Sequence, residues 1–252
     1  MNYYKLTICY KGTNYYGWQI QPEPHKTSIE GELLSTIKSI NKNGVSNLSG
    51  ASRTDAGVHA MGQVVKVSMS LDIDSDKFKL GLNSKLPKDI RILECVRCSE
   101  NYNPVKDSIS KLYHYNFTVN KLENPITSDF VKNIREELDI KIMNDAAKLF
   151  IGEKDFYNFS SRSTVAKTFV REITLCEIIE TKTTFPGRNI YTLKIEGSGF
   201  LKQMIRYIMG ALFAVGSGDL EVSKIAEYLS ERKNDKLTPK AMAKGLCLMK
   251  IT

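Results

Sequence analysis

The chain has 252 residues, with 36 Lys and Arg against 28 Asp and Glu, for a formal charge of +8. Hydrophobic residues at 42% and charged ones at 25% exclude global disorder, and the length allows one large domain or two modest ones. The longest stretch free of Asp, Glu, Lys and Arg, Tyr207–Gly218, is twelve residues, too short to cross a bilayer. Five cysteines are too sparse and irregular for a disulfide framework, so a reducing cytoplasm is the expected setting. The positive surplus favours polyanionic partners such as RNA or DNA but fixes neither fold nor chemistry.

Met1–Tyr10 reads as a strand rather than as a signal segment, with alternation strongest over Tyr3–Tyr10. Thr27-Ser28-Ile29-Glu30 is a capping box opening a helix whose Ile29, Leu33, Ile37 and Ile40 share one face, ending near Asn43-Gly44. Strands are predicted over Val45–Ala51 and Gln63–Met69, with the polar loop Ser52–Gly62 between them. Ser75 caps a short helix and Asp89–Val96 returns as a strand. The second half starts with the Tyr-rich strand Lys111–Val119, then a helix over Met143–Ile151. Strands Arg171–Thr181 and Asn189–Glu196 follow, joined by a turn at Pro186-Gly187. Helices over Phe200–Val215 and Val222–Arg232 precede a closing strand, Leu246–Ile251. Each half approximates strand, helix, strand, strand, helix, strand, the split βαβ order of ferredoxin-like folds. The expected fold is α+β: two ferredoxin-like halves, 1–106 and 107–252, sharing a central mixed, mainly antiparallel sheet.

Within the polar loop, Ser52-Arg53-Thr54-Asp55-Ala56-Gly57-Val58-His59-Ala60 stands out. Asp-Ala-Gly favours a tight reversal in which Gly57 takes a positive φ and small Ala56 admits another molecule. Arg53 lies two residues from Asp55, where its cation can hold the carboxylate ionised or grip a phosphate. Only nine of the 36 basic residues are arginine, so an arginine in this loop is an informative choice. A plain Asx-turn, with Arg53 in solvent, accounts for the local chemistry equally well. Arg206 is the only charged residue between Lys202 and Asp219, in a helix with the apolar stripe Leu201, Met204, Ile205, Ile208 and Leu212. A charge there is costly unless paired, or else it lies on a narrow polar seam with Lys202 and Gln203.

The nine-residue loop resembles the active-site signature of the tRNA pseudouridine synthase A family. Tyr10–Gln19, Asn83–Ile90, Leu112–Tyr115, Phe156–Phe159, Gly199–Arg206 and Gly245–Leu248 are similar to further segments of that family, in the same order along the chain. The resemblance implies isomerisation of uridine to pseudouridine in the anticodon stem-loop of tRNA, with no cofactor, metal or nucleotide bound and no membrane involved. It implies Asp55 as catalytic carboxylate, with attack at ribose C1′, attack at base C6 and a glycal route all open. It places Arg206 against Asp55 in a cleft between the halves and Tyr113 on the target uracil. Arg53 and His59 are expected to contact substrate, His59 by RNA contact or loop packing, and a homodimer is the usual family assembly. Two departures from the family, Asn103-Pro104-Val105 where a basic residue is usual and Lys111-Leu112 where two arginines are common, leave room for a shifted uridine target.

Other signals carry less. Cys95-Val96-Arg97-Cys98 lacks a second pair or a well-spaced His for zinc. Gly197-Ser198-Gly199 lacks the context of a nucleotide loop and reads as a strand-to-helix turn. A non-catalytic ferredoxin-like RNA-binding protein and a metal-dependent nuclease are the alternatives from other classes.

Overall fold

The computed structural model describes residues 1–42, 44, 46–120, 122–161, 168–181 and 189–252. Among them lie ten strands and five α-helices, and the chain is α+β with a mixed sheet. It divides into two compact units, Met1–Ile109 with Cys247–Thr252, and Ser110–Leu246.

The first unit is built on β1 (Asn2–Tyr10), whose buried residues Tyr4, Leu6, Ile8 and Tyr10 recur with the period of two that a half-covered strand requires. β1 is antiparallel to β3 (His59–Met69) on one side and to β4 (Ile90–Arg97) on the other. Tyr4 thus faces Val67 and Leu6 faces Val65. The outer half of β3 also pairs with β2 (Ser46–Gly50), and its first residues pair in parallel with β10 (Leu246–Ile251). The order β4-β1-β3-β2 is the split βαβ arrangement. Helices α1 (Ile29–Ile40) and α2 (Ser75–Lys85) cover the apolar face with Ile29, Leu33, Ile37, Phe78 and Leu82.

In the second unit β5 (Lys111–Val119) is antiparallel to β9 (Ile190–Gly197), β9 to β8 (Val170–Thr181), and β8 to β7 (Gly152–Asp155). A short β6 (Lys132–Ile134) runs parallel along β5. α3 (Ile140–Ala147) packs on β8 and on α4 (Met204–Gly216), and α5 (Val222–Ser230) lies near β7. Asn158, expected only as part of an aromatic motif, is buried and binds the end of α5. Its Nδ2 donates to the carbonyls of Tyr228 and Glu231, and its Oδ1 accepts from Lys233 N–H. Those carbonyls lack intrahelical donors, so this one side chain supplies what the helix end needs.

Several boundaries differ from the sequence reading for local reasons. Ser28, not Thr27, caps α1 by accepting from Gly31 N–H, while Glu30 reaches back to Ile20 N–H. Asp74, not Ser75, caps α2, because its carboxylate accepts from two amides of the first turn. α3 starts at Ile140 because Asp139 caps it, and a 3₁₀ turn over Lys148–Phe150 replaces its predicted last turn. α4 starts at Met204, later than predicted, because Gln203 sits at φ 63° and breaks the helix before it. β3 starts at His59 rather than Gln63, so the polar loop is shorter than predicted. The turn at Pro186-Gly187 lies outside the described residues.

Phe78 is fully buried with its ring 5.0 Å from that of Tyr4. Phe78→Ala is expected to destabilise the protein by about 3–5 kcal/mol, read as a lowered urea midpoint.

Candidate active site

The Asp55 loop is a short polar connection between two strands, so its backbone groups need partners from another segment. They come from the stretch following β1. Trp18 N–H donates to Thr54 C=O at 3.0 Å, and Gly57 N–H donates to Tyr15 C=O at 3.2 Å. Between these ties the chain reverses, closed by Val58 N–H on Asp55 C=O at 3.1 Å with Gly57 at φ 77°. The predicted reversal is therefore present and is closed by backbone. Asp55 is half-buried, while Arg53 and Ala56 are exposed.

Glycines let the two segments approach. A Cβ on Gly12 would lie 2.0 Å from Val58 O, and one on Gly17 would lie 2.6 Å from Thr54 O. Gly17 also holds φ 91°, which side chains other than hydrogen rarely tolerate. Side chains complete the frame. Tyr10 and Thr54 hydroxyls bond at 2.8 Å, and Tyr15 OH donates to Asp89 at 2.7 Å. That carboxylate and burial together push the Tyr15 phenol well above its usual range, burial being the larger cause. Gln63, fully buried, accepts from Ser52 N–H at 3.1 Å and donates back to Ser52 C=O. Sequence reasoning missed Thr54, Gln63 and Asp89 as parts of this frame. A polar Gln63 amid the apolar run Val64-Val65 was the available signal.

His59, expected to meet substrate or pack the loop, is 2% exposed, and its Nδ1 accepts from Gly12 N–H at 3.1 Å. The ring thus packs the loop against the segment after β1.

In the second unit Tyr113 lies on β5 with 5% of its surface exposed, its ring edge-on to Phe200 at 5.4 Å. Phe200 follows the Gly197-Ser198-Gly199 turn, where a Cβ on Gly197 would meet Glu172 O at 2.3 Å. That glycine serves strand packing. Tyr115, two residues along the same face, is fully buried and donates its OH to Met242 C=O at 2.9 Å.

Arg206 is half-buried in the first turn of α4. Its Nε donates to Ala241 C=O at 2.8 Å, and Ala241 N–H donates back to Arg206 C=O at 2.9 Å. Gly210, one turn on, lets this strap lie close, since a Cβ there would meet Pro239 O at 2.1 Å. Lys240 Nζ donates to Gln203 Oε1 at 2.9 Å, pinning the strained residue that opens the helix. The guanidinium stem is thus fixed by its own strap.

Of the departures, Val105 is exposed. Lys111 is half-buried, and burial lowers its ammonium pKa from the ordinary lysine value. Cys95 is buried, which raises its thiol to about 11, a poor nucleophile. Among the described residues no three His, Cys, Asp or Glu side chains gather as a metal site, and no helix is long and apolar enough to cross a membrane.

Residues 7–103 and 146–252 match the family described as tRNA pseudouridine synthase. The chain belongs to that family. A relative from Desulfotalea psychrophila named tRNA pseudouridine synthase A 2 is 44% identical over 259 residues, covering 100% of this chain and 98% of the relative. The tRNA pseudouridine synthase A of Moorella thermoacetica is 32% identical, covering 98% of both chains. The tRNA pseudouridine synthase A 1 of Protochlamydia amoebophila is 35% identical, covering 100% of this chain and 96% of the relative. Similarity therefore runs through both units at full length, and the chain is an enzyme of this kind, an isomerase that modifies tRNA.

Two glycines with positive φ separate crowding from backbone strain. Gly17→Ala meets backbone and strain together, while Gly218, at φ 82°, has open space around it. Gly218→Ala is expected to cost about 1 kcal/mol. Gly17→Ala is expected to cost more than twice that, both read by urea denaturation.

Proposed function

We propose that this enzyme converts uridine to pseudouridine in the anticodon stem-loop of tRNA, in the cytoplasm, with Asp55 as its catalytic carboxylate. The observation that carries this reading is the Asp55 loop itself: a half-buried carboxylate in a turn fastened on both sides, in a chain similar at full length to named tRNA pseudouridine synthases. A fixed carboxylate is useful where a reacting atom must be met at a set distance.

In the reaction the bond from ribose C1′ to uracil N1 breaks and C5 bonds to C1′. The C5 hydrogen leaves as a proton and N1 takes one up, so the product is an isomer. A carboxylate suits each available route, as nucleophile at C1′ or C6, or as base toward a glycal. Arg206 is proposed as the ion-pair partner of Asp55, keeping it anionic. Tyr113 is proposed to meet the flipped base, an interaction worth about 1–3 kcal/mol in single-strand binders, and extrusion of that base costs a few kcal/mol. Arg53, exposed beside the loop, is proposed to grip a phosphate. A homodimer is proposed by family likeness, and sedimentation reads it.

Tritium at C5 of uridine in tRNA reports the reaction directly. Wild type is expected to release label, and Asp55→Asn, which keeps shape and loses charge, to lower release by roughly 10²–10⁴-fold or more. Undiminished release by Asp55→Asn would refute the role of Asp55, and mapping of released label among uridines tests the anticodon stem-loop. For the phosphate contact, Arg53→Ala is expected to reduce the slope of log K against log[salt] for tRNA binding by about 0.7–0.9.

A further inference from the structure

The segment after β1 and the Asp55 loop run antiparallel and are joined by three ties. Trp18 meets Thr54, Tyr15 meets Gly57, and Gly12 meets His59. The first two are backbone to backbone and use no side-chain atom. The third is different. Gly12 N–H is buried and donates to an imidazole nitrogen. A backbone amide can only donate, so Nδ1 must carry a lone pair, and a neutral ring then holds its proton on Nε2. The ring belongs to the first residue of β3, four residues beyond Asp55, and Val58 between them is pressed against Gly12.

We infer that His59 is a positioning residue for the reaction, acting through a single atom, Nδ1, which ties Gly12 to the strand that carries the Asp55 turn. The inference rests on the reading of Asp55 as the catalytic group. Without the third tie the turn remains bonded at Thr54 and Gly57 and β3 remains paired at Ala60, but Gly12 is no longer fastened to the strand's first residue, and the carboxylate between these points is held less well. A misplacement of about 1 Å at a reacting group costs on the order of 10²-fold in rate. tRNA grip, spread over phosphate contacts elsewhere, is left largely intact.

The atom can be replaced. Asparagine places its Oδ1 the same number of bonds from the backbone as Nδ1 and accepts a hydrogen bond there. Glutamine places its oxygen one bond further out, near the position of Nε2. With C5-labelled tRNA, His59→Asn is expected to keep kcat within about 3-fold of wild type. His59→Gln and His59→Ala are expected to lower kcat by about 10–10²-fold with KM changed less than about 3-fold. Equal losses in all three variants, a full kcat in His59→Ala, or losses confined to KM would each overturn the inference. Because a variant can fail to fold, the bond is also read in wild type. ¹⁵N-labelled protein is expected to show a scalar coupling across the hydrogen bond between Gly12 N and His59 Nδ1, and its absence would overturn the tie. Asp55→Asn measured in parallel separates the two readings. An active Asp55→Asn removes the role of Asp55, whereas an inactive one with no rescue by His59→Asn removes only the role of His59.

Discussion

A polar loop can hold a carboxylate still only if its own backbone is satisfied from outside, and the first unit is arranged around that constraint. Trp18, Tyr15 and Gly12 supply donors and acceptors to Thr54, Gly57 and His59 in turn. Glycine at positions 12 and 17 brings the two segments into contact, because any side chain there would collide with a carbonyl. Tyr15 is in turn held by Asp89, just before β4, and Thr54 by Tyr10 at the end of β1. The loop is therefore bound to the ends of neighbouring strands of one sheet, a more precise support than loop against loop.

The second unit solves a related problem by other means. Arg206 must emerge from an apolar helix whose other faces are buried. Its strap, Pro239–Met242, supplies a carbonyl to its Nε and one to Tyr115, and packs where Gly210 leaves room. Lys202 and Gln203 lie before this helix and share no helical face with Arg206; Gln203 takes a left-handed conformation and bonds Lys240.

Much of this was legible in the sequence because local chemistry and burial agreed. The alternation of β1, the apolar face of α1 and the run of β5 each expose one side to the core; the limits of β1 and β5 and the start of α1 fall within a residue or two of those expected, while α1 ends at Ile40, some three residues early. The reversal at Asp55 was legible for the same reason, since Gly57 is there for its φ. What was not legible depends on partners distant in sequence. β6 and β7 are three and four residues long and too short to show a period. Gly12 and Gly17 were visible only as likeness to a family, because the carbonyls they avoid lie some forty residues away. The burial of His59 was hidden in the same way, its acceptor role being set by an amide of another segment. Capping residues were misplaced by one position where two candidates adjoin, as at Thr27-Ser28 and Asp74-Ser75.

The path of the last strand bears on how the protein is made. β10 pairs in parallel with the first residues of β3, Cys247 opposite His59 and Leu248 opposite Ala60, and Thr252 accepts from Ile109 N–H. Residues 247–252 thus belong to the unit whose other strands are translated first. That edge of β3 has to wait, unfilled, while some 137 intervening residues, Ser110–Leu246, leave the ribosome. During this interval the start of β3, beside the Asp55 loop, is a bare stretch of sheet margin, the kind of surface that chaperones shield and that aggregation exploits.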